Sequence, residues 1–322
     1  MSSWKKYLTL CCATAPLWLM TGCTPLVNTP GSPVTTARIE QDHFITADGA
    51  PLPLRCWLPK APPRAIIIAL HGFNDYRNFF AGAGDYLATY GIASYAYDQR
   101  GFGGSPGRGL WPGITAYTDD LTAFSRQLRT RHPGVPLYIL GESMGGAITI
   151  VAMSSSNRPD VDGVILSAPA VWARETMPWY QRWLLAVASH TVPSLKLTGK
   201  GLRIAPSDNS DMLRAFRNDP LVIKGTRVDT LYGVTNLMDR ALVQASQVPG
   251  SVLVLYGRHD QVIPKEPILK MLDTMPATTR RAFYENGYHL LLRDLHADKP
   301  LADIVTWITN HDSPLPNGTD RW

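Results

Sequence analysis

Residues 141–145 read Gly141-Glu142-Ser143-Met144-Gly145, a G-x-S-x-G pentapeptide between an apolar run and a helix-like run. A serine hydroxyl is a poor nucleophile at neutral pH. It needs a base to take its proton and an acid to orient that base. Upstream, Pro136-Leu137-Tyr138-Ile139-Leu140 is short, apolar and partly β-branched or aromatic, as a buried parallel strand should be. Downstream, the run from Gly146 to Met153 continues as a packed helix. In a strand–turn–helix setting the glycines leave room for a very tight turn. The serine is then held at the tip of a sheet, beside a helix N-terminus whose free N–H groups favour developing negative charge.

Acid and base candidates follow further along. Ser251 to Tyr256 is an apolar strand that ends in Gly257-Arg258-His259 and delivers Asp260 at its C-terminal end. Catalytic groups gather at such ends in open α/β sheets. Phe283-Tyr284-Glu285-Asn286-Gly287-Tyr288-His289 is again a strand followed by a loop, which carries His289. Two histidines rival it. His259 adjoins Asp260, but a chain neighbour points away from its own partner; His296 falls in a helix-like run. His43, His132, His190 and His311 lack strand-end context and read as surface or cap residues. Asp98 also ends a strand, and the Arg100-Gly101 that follows implies a loop-fixing role.

Holding three groups from distant segments at one point takes a sheet. Residues 38–59 read as an antiparallel edge hairpin, and Ala65-Ile66-Ile67-Ile68-Ala69-Leu70 is a continuous apolar strand running into His71-Gly72-Phe73-Asn74. A helix-like run from Tyr117 to His132 lies between the strands ending at Asp98 and Leu140. This alternation implies a mostly parallel central sheet with crossover helices, an α/β fold. It breaks near 171 and resumes at 251. The expected division is a core in two parts, 37–170 and 241–312, an inserted, mainly helical cap at 171–240, and a loose tail at 313–322. About 280 ordered residues support one large core.

Several strings together resemble the monoacylglycerol lipase and lysophospholipase branch of the α/β-hydrolases, including its serine aminopeptidase S33-type members. They are His71-Gly72, Asp98-Gln99-Arg100-Gly101-Phe102-Gly103-Gly104-Ser105-Pro106-Gly107, Gly141 to Ala147, Ser167-Ala168-Pro169, Asn218-Asp219-Pro220-Leu221-Val222, Gly257-Arg258-His259-Asp260 and Gly287-Tyr288-His289. The likeness spans roughly 38–311. It implies an α/β-hydrolase fold, a Ser143–Asp260–His289 triad in that family's chain order, and oxyanion donors from the backbone N–H groups of Phe73 and Met144. The bland reading of His71-Gly72 is a strand-ending turn. There are departures. Where the family continues H-G-x-G-E-H, this chain has Asn74, Asp75 and Tyr76. An arginine and a second histidine that help place glycerol in monoacylglycerol lipases are matched here by Phe79 and Leu292. The catalytic machinery carries over; a monoglyceride preference does not.

The N-terminal segment resembles a secretory signal: Lys5-Lys6, a short apolar stretch, then Leu19-Met20-Thr21-Gly22-Cys23. Its end resembles a bacterial lipobox, which implies cleavage after residue 22, lipid on Cys23 and, with Thr24 following, an outer-membrane destination. A soluble periplasmic product is the alternative. Thr24 to Thr36, with Pro25, Pro30 and Pro33, reads as an extended tether. Of the four cysteines, Cys11 and Cys12 leave with the signal and Cys23 is acylated. Cys56 alone remains in the domain, so no internal disulfide is expected there. The formal charge of +5 drops by two with Lys5 and Lys6. That excess, without a basic run, excludes a case for nucleic-acid binding.

Met177 to Val187 in the cap is rich in aromatic and aliphatic side chains, either a face packed on the core or an acyl-chain groove and interfacial surface. Residues 171–240 hold ten Lys or Arg against six acids, a balance suited to anionic headgroups. The expected function is an envelope-anchored serine esterase or lipase acting on lipid-like carboxylic esters, with no metal or organic cofactor. Alternatives are an acyltransferase, a proline-type aminopeptidase and, from another class, a non-catalytic binding lipoprotein.

Overall fold

The computed structural model describes residues 24–199, 201 and 204–318. The expected signal segment 1–22 and the Cys23 acylation site lie outside the described residues. The expected tether is not free. The Asn28 N–H donates to the Trp111 carbonyl at 2.7 Å, and the Val34 and Thr35 N–H groups both donate to Ala47. Proline-rich composition makes this segment extended, but it still docks as a strap wherever the domain offers acceptors to its remaining N–H groups.

Three strands, β1 (Arg38–Glu40), β2 (His43–Ile45) and β3 (Pro51–Trp57), form an antiparallel edge, one strand more than the expected hairpin. Then β4 (Ala65–Leu70), α1 (Ala81–Thr89), β5 (Ile92–Tyr97), α2 (Ile114–Arg131), β6 (Leu137–Glu142), α3 (Met144–Met153) and β7 (Gly163–Ser167) alternate. The inserted block holds α4 (Trp179–Thr191), β8 (Lys196–Thr198), α5 (Ser210–Asn218) and β9 (Gly225–Arg227), with β8 and β9 paired antiparallel. The chain returns through α6 (Val228–Gln244) to β10 (Ser251–Gly257), α7 (Lys265–Thr274), β11 (Arg280–Tyr284) and α8 (Asp298–Thr309).

The sheet has nine strands in the order β1-β2-β3-β5-β4-β6-β7-β10-β11. From β5 to β11 every neighbouring pair is parallel. Helices cover both faces, so alternate residues of one strand enter different cores. Ile66, Ile68 and Leu70 pack with α2, α3 and α6, whereas Ala65, Ile67 and Ala69 pack with α1 and α8. This two-sided burial is why β4 reads as an unbroken apolar run.

The expected cap boundary at 240 falls inside α6. That helix buries Leu237, Ala241 and Leu242 in the same core as Ile148 and Ile150 of α3, while its first N–H groups, from Val228 and Asp229, reach back to Leu195 and Pro193 of the insertion. The tail is also docked as far as it is described: the Asn317 N–H donates to Asp303 at 2.9 Å.

Candidate active site

Ser143 sits between β6 and α3 at φ 52°, ψ −114°, a strained combination for a residue with a side chain. The crowding around it explains the glycines. A Cβ on Gly141 would overlap the backbone of Gly145, one on Gly145 would overlap the Leu70 carbonyl, and one on Gly146 would lie 2.9 Å from Pro169. The turn is locked from the side of β7, where Ser143 N–H donates to Ser167 and the Ser143 carbonyl accepts from Ala170, both at 2.9 Å. The serine side chain caps nothing on α3. Met144 is the first residue of α3, so its N–H belongs to the unpaired first turn.

The loop after β4 passes directly over the serine: a Cβ on Gly72 would be 3.3 Å from Ser143 Cβ. His71 is fully buried and pins this loop. Its Nε2 accepts from Gln99 N–H at 3.0 Å, which leaves Nδ1–H to donate to the Gly72 carbonyl at 2.8 Å. Burial holds this imidazole below its ordinary pKa. The loop carries Phe73, whose N–H is the second expected oxyanion donor. The three departures from the family pattern each have a partner. Asn74 donates to Thr226 of β9, the Tyr76 hydroxyl donates to Asp219, and Asp75 pairs with Arg293.

Asp260 and His289 come together as expected. His289 Nδ1 lies 2.8 Å from Asp260 Oδ2, with the two side chains 5% and 0% exposed. The other carboxylate oxygen accepts from the Val262 and Ile263 N–H groups. With Nδ1–H donating to Asp260, the proton-accepting nitrogen of a neutral His289 is Nε2. Burial pushes this imidazole down, but the charge and hydrogen bond of Asp260, joined by Glu142, outweigh it and raise the group above its ordinary value. The two loops touch through glycine: a Cβ on Gly257 would collide with Gly287. The rivals fall away. His259 and His296 are exposed, and the His259 ring packs on Tyr288. Asp98 fixes a loop, accepting from the Arg77 and Gly104 N–H groups.

Sequence reasoning missed Arg293, whose guanidinium pairs with both Asp75 and Glu142. It stands 5.8 Å over the ring of Phe79, the residue at the family's arginine position. A serine on a strained turn, helix-start N–H groups and a carboxylate-oriented histidine are the parts that acyl transfer uses.

The serine aminopeptidase S33 family model matches residues 61–296, which include all of these parts. The chain belongs to that family. As an S33 member it is a serine hydrolase of the α/β-hydrolase fold. It is 26% identical over 275 residues to a monoglyceride lipase of Rattus norvegicus, covering 83% of this chain and 90% of the relative. It is also 26% identical to a monoacylglycerol lipase of Mycolicibacterium smegmatis, covering 86% and 99%. Among solved structures, a soluble variant of monoglyceride lipase from Saccharomyces cerevisiae superposes with a TM-score of 0.71 at 18% identity, covering 90% of this chain and 99% of that one. The α/β-hydrolase fold is therefore shared across nearly the whole described chain.

Proposed function

We propose that this S33 member hydrolyses carboxylic esters of lipid type, monoacylglycerol or lysophospholipid, through an acyl-enzyme on Ser143. His289 Nε2 takes the serine proton as Oγ attacks the ester carbonyl. The Phe73 and Met144 N–H groups receive the oxyanion, and Asp260 stabilises the imidazolium. His289 then gives its proton to the departing alcohol, and water releases the acid by the same path in reverse. The buried Asp260–His289 bond, together with the strained turn at Ser143, carries this reading, and the monoglyceride lipase names of its relatives support the ester class.

The reading extends to a membrane-bound substrate. On α4, Trp179, Tyr180, Trp183 and Leu184 are all more than half exposed, with Trp179 at 72%. A helix face of this kind favours the headgroup boundary of a bilayer. We place the enzyme in a bacterial envelope, anchored to the outer membrane through an acylated Cys23. Among the described residues no helix is long and apolar enough to cross a membrane.

The purified mature protein, assayed against p-nitrophenyl esters, monoglycerides, lysophospholipids and proline-initiated peptides, tests the proposal. Turnover of the lipid esters with release of free fatty acid supports it. Cleavage of peptides alone, or acyl transfer without release, overturns it in favour of the aminopeptidase or acyltransferase.

A further inference from the structure

We propose that Arg293 is a positioning residue, one guanidinium that clamps together the three loops bearing the reacting groups, with Glu142 as its counter-charge beside the nucleophile. This rests on Ser143, Asp260 and His289 being the catalytic groups.

Arg293 closes the short 3-10 turn Leu291–Arg293, four residues beyond His289. Its Nη2 donates to Glu142 Oε1 at 2.7 Å, and its Nη1 pairs with Asp75 Oδ2 at 2.8 Å. Glu142 ends β6 and directly precedes Ser143. Asp75 follows Phe73 by two residues on the loop above the serine. The three side chains are 12%, 0% and 5% exposed. The rings of Phe79 and Phe216 approach the guanidinium at 5.8 and 5.6 Å. A planar fork holds two carboxylates in fixed directions, which an ammonium cannot do.

Stability alone does not account for such a cluster. Desolvating one cation and two anions offsets most of their attraction, so buried ion groups are weak stabilisers; registry between parts is their better-attested use. Here the parts are the nucleophile turn, the oxyanion loop and the histidine loop. The cluster also sets the charge around His289. Asp260 faces it from the loop after β10 and Glu142 from β6, both favouring the imidazolium; Arg293, from its own loop, opposes it, and Asp75 pairs with Arg293.

The test measures kcat, KM and the pH profile of kcat/KM for the full chain on a short soluble p-nitrophenyl ester, with fluorophosphonate labelling to count competent sites. The variants are Arg293→Lys, Arg293→Gln, Glu142→Gln and the Glu142→Gln/Arg293→Gln double. Arg293→Lys and Arg293→Gln should each lower kcat at least tenfold while KM stays within threefold. The acid limb should move up in Arg293→Gln and down in Glu142→Gln. In the double variant it should return towards the native position while kcat stays low. Should Arg293→Gln fail to fold, Arg293→Lys keeps the charge and the double variant relieves the mismatch, so both remain readable. Native kcat and unmoved acid limbs in folded variants, whatever their melting temperatures, overturn the clamp. Undiminished turnover by Ser143→Ala would instead overturn the underlying catalytic assignment.

Discussion

The side-chain amide of Asn74 donates to the hydroxyl of Thr226 at 2.7 Å, joining residues 152 apart. Asn74 lies on the loop above Ser143 and Thr226 on β9 of the insertion. The insertion therefore holds the loop that carries Phe73, the proposed source of one oxyanion donor. A second bond, Ile223 N–H to the Asn74 carbonyl at 2.9 Å, runs beside it. Thr226→Val removes the acceptor and leaves the shape. It should lower kcat on short esters several-fold and cost about 1 kcal/mol in a denaturant titration, a typical value for one hydrogen bond. Asn74→Ala should cost more, because Asn74 holds φ 65° and alanine tolerates that region poorly.

For the nucleophile, Ser143→Ala should abolish fluorophosphonate labelling and lower kcat by about 10⁴- to 10⁶-fold, as for other triad serines. Intact-mass measurement of the labelled native protein, followed by peptide mapping, should place the adduct on Ser143.

His289→Ala should be nearly as damaging, and the Ser143→Ala/His289→Ala double scarcely worse, because the groups act as one unit. His259→Ala should keep most activity, since His259 is exposed and faces Tyr288. An exchange of those two outcomes would move the base to His259.

The pH dependence has a definite sign. The proposed base, His289 Nε2, works only when it is unprotonated. Burial lowers this imidazole, while Asp260 and Glu142 together raise it further, to a net value above the ordinary one. Protonation then begins at higher pH than in a free histidine, so kcat/KM should fall on the acid side with a midpoint above about 6.5. Asp260→Asn should lower that midpoint and cut kcat about 10⁴-fold, the loss known when a triad acid is neutralised. A pH–rate profile of each protein checks both shifts.

Gly257→Ala should separate the acid loop from the histidine loop, because its Cβ would collide with the backbone of both Gly287 and Tyr288. Overpacking of this kind costs about 1–3 kcal/mol. The lost alignment should appear in kcat, and thermal melting alongside kinetics separates the two effects.

Under the proposed anchoring, Cys23→Ser should leave a poorly processed or soluble chain, read by intact mass after detergent extraction. Activity on short soluble esters should survive in a chain beginning near Thr36. The docked strap adds a cost: losing the Asn28, Val34 and Thr35 bonds should lower the melting temperature of that shortened chain.

Within single windows of sequence much was already decided. The apolar run 65–70, the G-x-S-x-G turn and the glycine-ended strand before Asp260 each record a local conformation. Strand burial on both faces, tight turns and helix starts impose residue types on neighbours only a few positions apart. That is why Ser143, Asp260 and His289 could be chosen, and why the α/β class followed from alternation. Tertiary structure decided what depends on partners far along the chain. Thr24–Thr36 looked like a spacer because prolines favour extension, yet acceptors at Trp111 and Ala47 hold it down. The block after 171 looked like one insertion up to 240, but α6 shares its buried face with α3. Asn74, Asp75 and Tyr76 looked like losses from a family pattern until Thr226, Arg293 and Asp219 met them across the fold. Arg293 itself carries no local mark, because a charged residue after a loop looks solvated until packing excludes water and leaves it two carboxylates.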